Sequence, residues 1–384
     1  MLQIFFWTNI FLAFYAYFGY PLFLRCLPKR KTNFLSLNID SNLPKLTVII
    51  SARNEQEVIK EKIENTLSLS YFGKERDRKI LQILIASDAS DDATHSIVEE
   101  YKDQGVELVA LPDRLGKESA QKAALARATG EVIVFTDAKI KLNQRALEHF
   151  AYYFTDDSIG AVSSTDQVES NDGADSGEGF YVRYEMWLRQ LESRGLGLVG
   201  LSGSCFAARK NVCSGWRVDI PSDFTVLLLA VKSGLVGVIA DEIIGSYKSV
   251  KTEEAEFLRK VRTILRGITT FFSCAEILNP FQYGTFSWQI ISHKLLRWLV
   301  PVFLMLALVI ALILSTSSKT YLLMAGVMMS FLLLALIAFF ISPLRKIKIF
   351  KIPLYFSITN LAIMVAWFKF LTGRRSVTWS PTNR

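Results

Sequence analysis

Leu2–Leu24, Leu295–Ser315 and Tyr321–Ile341 are nearly free of charge, and each is as long as a bilayer core is thick. About 20 consecutive apolar residues cross the hydrocarbon layer, where a backbone must satisfy its own hydrogen bonds, so each stretch is expected to be a transmembrane helix. The short polar link Thr316–Thr320 makes the last two a hairpin. Ile352–Leu371 is a further, weaker candidate because it carries Ser357, Asn360 and Lys369. Arg25, Lys29, Arg30 and Lys31 follow the first stretch, and a basic flank marks the cytosolic side. A signal peptide is the competing reading of the N-terminus, opposed by the long apolar run and the lack of a basic lead-in or small-residue cleavage site. The hairpin then returns the chain to the cytosol at Arg345, Lys346, Lys348 and Lys351. A spanning last segment would leave Arg374 and Arg375 outside, against the positive-inside rule, whereas a re-entrant or interfacial helix would not.

The chain thus divides into a membrane helix (1–24), a polar linker with Pro28 and Pro44 (25–45), a large middle region (46–250), amphipathic or interfacial helices (251–294), a membrane region (295–371) and a basic tail (372–384). The net charge of +8 does not call for nucleic acid, because many of the basic residues flank the apolar segments. Cys26, Cys205, Cys213 and Cys274 are too scattered for a zinc pattern and read as reduced, structural thiols. A transporter is disfavoured, since the hairpin's apolar cores hold almost none of the charge an ion path needs.

The middle region alternates short apolar runs with helical patterns. Leu46–Ser51 is a buried strand, followed by Ile59, Ile63 and Leu67 at helical spacing. Ile80–Ala86 is a second strand, then a helix carrying Ile97, Val98 and Tyr101. Val106–Leu111 is a third, and Lys117–Ala128 is a helix whose alanines allow close packing on a sheet. Val132–Thr136, bounded by Gly130 and Asp137, is a fourth strand buried on both faces. This order predicts a doubly wound α/β fold with a mainly parallel sheet, Rossmann-like but lacking GxGxxG after the first strand. In such sheets ligands bind beyond the carboxyl ends of the strands. Three acids, Glu55, Asp88 and Asp137, are delivered to that edge, either as solvated loop residues or as acceptors for a nucleotide and a divalent cation.

These residues resemble the family 2 glycosyltransferases of GT-A fold, in particular membrane-embedded synthases of cellulose and poly-N-acetylglucosamine. The likeness runs from about Leu46 to Gly267 and extends, in layout, to the membrane segments. SARNE (Ser51–Glu55) is similar to the family's opening turn, which implies that Arg53 and Glu55 lie at the nucleotide. SDASDDAT (Ser87–Thr94) is similar to SDGSTDGT, which implies that Asp88 meets the base, with Ala89 in place of the usual glycine. RLGK (Arg114–Lys117) implies that Lys117 approaches the nucleotide. FTDAK (Phe135–Lys139) stands where the family has its DxD metal motif. There Asp137 matches the first carboxylate and is the expected ligand for Mg²⁺ or Mn²⁺, while Lys139 replaces the second and must turn away or stand in for part of the metal's charge. Gly177–Ser193 is expected to be a helix that packs on the sheet or membrane surface, in preference to stacking on an acceptor. SGSCFAARK (Ser202–Lys210) implies acceptor contacts at Gly203 and Ser204. IPSDF (Ile220–Phe224) implies Asp223 as catalytic base, with Ser222 in place of an acidic neighbour, against the alternative that Asp223 caps a helix starting at Phe224. RKVRT (Arg259–Thr263) is similar to QxxRW, which implies that Arg262 neutralises the leaving diphosphate, although the Trp and Gln are lost. The competing reading is a basic helix that binds anionic lipid.

The resemblance implies a membrane-bound inverting glycosyltransferase in the plasma membrane, with its GT-A domain in the cytosol. Its donor would be a nucleotide-diphosphate sugar, UDP-linked, and its acceptor a growing polysaccharide or lipid-linked glycan at the cell surface. An export or synthase partner subunit is compatible with this reading. The alternative is a catalytically degenerate membrane scaffold that binds nucleotide sugar, for which Lys139, Ser222 and the altered QxxRW argue.

Overall fold

The computed structural model describes residues 1–31, 44–71, 80–169, 177–248 and 253–374, of which 177–181 are described by backbone alone. Most of the expected linker, the junction near residue 250, the Phe180 side chain and the tail from residue 375 lie outside the described residues. Two compact units form, one within Pro28–Val250 and the other from Met1–Leu27 with Lys251–Arg375.

The first unit is built on eight strands: β1 (Leu46–Ala52), β2 (Leu81–Ser87), β3 (Val106–Ala110), β4 (Val132–Asp137), β5 (Lys141–Leu142), β6 (Ile159–Glu169), β7 (Cys205–Arg209) and β8 (Val236–Lys248). Their order is β3-β2-β1-β4-β7-β6-β8-β5. The four strands expected from sequence form the parallel half, with ends within a residue or two of those read from the apolar runs. In the other half β7 runs antiparallel to both β4 and β6, while β6 and β8 are parallel.

Every residue of β1 is buried, and alternate side chains serve different cores. Val48 and Ile50 pack with Ile59 and Ile63 of the helix Ile59–Ser68. Ile49, Leu84, Ile133 and Phe135 pack on the other face with Ala120 and Ala124 of the helix Lys117–Arg127. Each such apolar side chain contributes about 1.5–3 kcal/mol when fully buried, which is why these strands read as unbroken apolar runs. Phe135 also stacks on Phe206 at 4.9 Å between ring centroids, joining the parallel half to β7.

The second unit contains four helices long and apolar enough to cross a membrane: Leu2–Cys26, Thr285–Leu314, Lys319–Phe340 and Lys348–Leu371. Their contacts use small residues, with Ala307, Ala311 and Ala325 packed around Phe6 and Tyr321. Large apolar side chains face outward, including Phe11, Leu323 and Phe340, as expected of surfaces that meet lipid. The helix Glu253–Ser273 is amphipathic and lays Val261, Leu265 and Ile268 against Ala362 and Ala366 of the last helix.

Gly130 permits a close backbone approach just before β4. A Cβ there would lie 2.5 Å from the Thr47 amide nitrogen and 2.6 Å from the Leu46 carbonyl carbon, both rigid backbone. Gly130→Ala is expected to destabilise the α/β unit by about 1–3 kcal/mol through overpacking, read as a lower thermal midpoint. An unchanged midpoint would show that β1 and β4 can separate.

Candidate active site

Parallel register brings the strand ends together: Ser51 pairs with Asp137, and Ala52 with Ser87. The segments after β1 and β2 are then laced to one another. Asn54 donates to Asp91 Oδ1 at 2.6 Å, Thr94 Oγ1 accepts from the Glu55 amide at 2.9 Å, and Asp92 Oδ2 accepts from the Gln56 amide at 3.1 Å. Arg53 donates its guanidinium to the carbonyls of Asp88 and Ala89, so its charge secures the loop. Ala89 sits at φ +51°, a left-handed conformation that favours the glycine usual here.

Asp88 is almost wholly buried. Its Oδ1 accepts from the amides of Leu115 and Gly116 at 2.8 and 2.9 Å. Its Oδ2 is buried without a hydrogen-bond partner among the described residues. A buried carboxylate oxygen in that state is an acceptor waiting for a donor.

Lys117 occupies the centre of the site. Its Nζ lies 2.5 Å from Asp137 Oδ1 and donates to the Gly203 carbonyl at 3.1 Å. The Asp137 amide donates in turn to the Ser204 carbonyl at 3.0 Å. Asp223 Oδ2 lies 3.5 Å from the position a Gly203 Cβ would take, so its carboxylate faces the Gly203–Ser204 turn. The helix carrying it begins at Ser222, one residue after Pro221, so Asp223 lies inside the first turn and is not the cap of a helix starting at Phe224.

Lys139 pairs with Glu55, its Nζ 3.3 Å from Oε2. Burial pushes the Glu55 carboxyl above its ordinary range, and Lys139 opposes that shift. Asp137 therefore stands as a single carboxylate with about a quarter of its side chain exposed, 26%. The described residues hold no cluster of three acidic, histidine or cysteine ligands. One carboxylate fits a hard divalent cation whose other ligands are substrate phosphates and water.

Of the site residues expected from sequence, all lie in this unit except Arg262, which belongs to the other, on the helix Glu253–Ser273. Burial, and the charges of Arg266 and Arg259 beside it, hold the Arg262 guanidinium below its ordinary pKa.

Sequence reasoning missed two residues. Asp166, on β6, accepts from the hydroxyls of Ser202 and Ser204 at 2.7 Å each and so holds the turn at Gly203. Lys62 is fully buried on the apolar face of its helix, between Ile59 and Ile63. Its Nζ donates to Thr136 Oγ1 at 3.0 Å and to the Ile140 carbonyl at 2.6 Å, bracing both ends of the turn that carries Asp137 and Lys139. A lysine within an otherwise apolar i, i+4 stripe was the signal available for it.

Residues 47–215 match the family model described as Glycosyl transferase family 2. The probable glycosyltransferase YdaM of Bacillus subtilis (strain 168) is 30% identical over 149 residues, covering 37% of this chain and 33% of that protein. The beta-monoglucosyldiacylglycerol synthase of Nostoc sp. (strain PCC 7120 / SAG 25.82 / UTEX 2576) is 25% identical over 199 residues, covering 48% of this chain and 40% of that protein. The poly-beta-1,6-N-acetyl-D-glucosamine synthase of Staphylococcus aureus (strain COL) is 27% identical over 139 residues, with 35% and 31% covered. The match thus spans only about a third to two fifths of these relatives' length. Among solved structures, mannosyltransferase PcManGT from Pyrobaculum calidifontis, in complex with GDP-Man and Mn²⁺, superposes with a TM-score of 0.73 over 98% of this chain and 100% of that one, at 19% identity. The fold is therefore the GT-A glycosyltransferase fold flanked by apolar helices. Residues 47–215 are thus similar to a family 2 glycosyltransferase domain.

Burial lowers the Lys62 pKa from 10.5 to about 8, opposed by Cys205 and Asp137. Between those values the folded chain binds fewer protons than the unfolded one, so stability is lowest below pH 8 and rises through the window. Lys62→Met is expected to remove that rise, a change of up to about 3 kcal/mol in the difference between variant and wild type. Melting curves at about pH 7.5 and about pH 10 read it, and a difference independent of pH would contradict it.

Proposed function

We propose that the chain is a membrane-bound inverting glycosyltransferase. It moves a sugar from a nucleotide-diphosphate donor, UDP-linked, to a hydroxyl of a growing polysaccharide or lipid-linked glycan. The observation that carries this reading is the position of Lys117, whose ammonium is ion-paired with Asp137 on the donor side and donates to the Gly203 carbonyl beside Asp223.

In this reading Asp88 Oδ2 accepts an N–H of the base, and Glu55 supports the nucleotide from its pair with Lys139. Lys117 lies against the diphosphate. Asp137 would hold Mg²⁺ or Mn²⁺, which supplies positive charge to the phosphate oxygens. Asp223 takes the proton of the acceptor hydroxyl as its oxygen bonds to the anomeric carbon from the face opposite the nucleotide. The bond from that carbon to the diphosphate breaks, its electron pair leaves with the nucleotide, and configuration inverts. Lys117 stabilises the charge that develops on the leaving group. The basic flank after the first apolar helix supports a cytosolic domain at the plasma membrane.

The direct test is nucleotide release by the purified protein in lipid or detergent, with UDP-, GDP- and dTDP-sugars and with either cation. Release of UDP is expected. Asp223→Asn should lower turnover by about 10²–10⁴ while donor affinity stays nearly constant, and a variant that kept most of its turnover would remove Asp223 from the base role. Asp137→Ala should weaken cation-dependent donor binding by about tenfold or more. Donor binding equal to wild type, with or without cation, would count against Asp137 as the ligand. Nucleotide binding without release from any donor would favour the scaffold.

A further inference from the structure

The acceptor side of the site contains more acid than Asp223. Ser202 and Ser204 flank the exposed Gly203, and both hydroxyls bond to one oxygen of Asp166, a half-buried carboxylate near the end of β6. The two hydroxyl oxygens are themselves 2.7 Å apart, and Ser202 Oγ accepts from the Ser204 amide at 3.2 Å. The Ser202 amide is fixed in turn by Ser163 Oγ at 2.8 Å. Asp223 faces the same turn from the helix Ser222–Lys232. Two carboxylates from different elements therefore flank two consecutive residues, although Ser222 provides none.

Proton accounting gives this cluster a chemical preference. A carboxylate oxygen accepts, and two serine protons serve three short contacts, so in each arrangement the Ser204 proton points inward, to Asp166 or to Ser202. Ser202 is almost wholly buried, while Ser204 is only half-buried. With its proton committed inward, Ser204 Oγ offers lone pairs outward and needs a ligand that donates. A sugar or glycerol hydroxyl donates. An ionised phosphate does not, and it would meet two carboxylates of its own sign.

We propose that Asp166, acting through Ser204, is the acceptor-orienting residue of this chain, and that the subsite it forms takes a neutral polyol hydroxyl in preference to a lipid phosphate. Asp166 supplies from β6 the second acid that is missing beside Asp223. It is a positioning residue: it sets the direction of the Ser204 lone pairs, which hold a hydroxyl of the acceptor beside the one Asp223 deprotonates. The inference rests on the glycosyltransferase reading and narrows its acceptor.

Two variants separate this role from a structural one. Ser204→Ala removes the outward acceptor and leaves the Ser202–Asp166 bond in place. Asp166→Asn keeps the shape and removes the charge. Acceptor KM and kcat would be measured with chito-oligosaccharide, monoglucosyldiacylglycerol and undecaprenyl phosphate as probes, and donor affinity by titration with the nucleotide sugar. Each variant is expected to raise the KM for a hydroxyl acceptor by about tenfold, the loss of one charge-supported hydrogen bond, with donor affinity within about twofold of wild type. A merely structural role would lower melting temperature and kcat without this selective rise. Wild-type acceptor KM in both variants would overturn the proposal, as would a wild-type preference for undecaprenyl phosphate. A wild-type protein that binds nucleotide yet turns over no donor would instead defeat the glycosyltransferase reading on which it rests.

Discussion

A buried ammonium is costly unless its hydrogens are taken up, and Lys117 meets that condition with groups from two separate parts of the sheet. Asp137 comes from the last strand of the parallel half, and the Gly203 carbonyl from the turn leading into antiparallel β7. A single charge thus ties together the two halves of a mixed sheet at the point where they differ in direction. The Asp137 amide repeats the tie by donating to the Ser204 carbonyl. With these contacts in place Asp137 and the Gly203–Ser204 turn keep a fixed separation before any ligand arrives, which in the proposed reaction would be preorganisation.

The second dependency is between packing and the site. Lys62 belongs by position to the apolar face of its helix, yet its ammonium reaches through the core to both ends of the turn bearing Asp137. Polar support from below the sheet is matched by Asp166 from the side. This edge of the sheet is therefore held by Lys62 and Asp166 from behind, each satisfied by two partners, in accord with the expense of leaving buried polar groups unpaired.

The parallel half of the fold was legible because strands buried on both faces leave unbroken apolar runs, and Gly130 and Asp137 bound one of them cleanly. The antiparallel half was less so. β6 and β8 are long but carry serines, acids and glycines that break any period. Asp88 and Lys117 could be placed because the loops holding them are short and follow strand ends directly. Asp166 could not, since its significance comes from meeting Ser202 and Ser204 across the sheet, 36 and 38 residues away in sequence. Lys139 was legible as an anomaly but not in direction, for nothing local to FTDAK announces that its partner is Glu55, after a different strand.

That last pair bears on how such a site can change over generations. Glu55 is 4% exposed and Lys139 is the cation that offsets its charge. An exchange of Lys139 for an acid would put a like charge beside a buried carboxylate, and the loss of Glu55 would take one partner from a half-buried ammonium. Neither step is neutral alone, so a carboxylate at position 139 carries a cost in this protein unless the turn after β1 is altered with it.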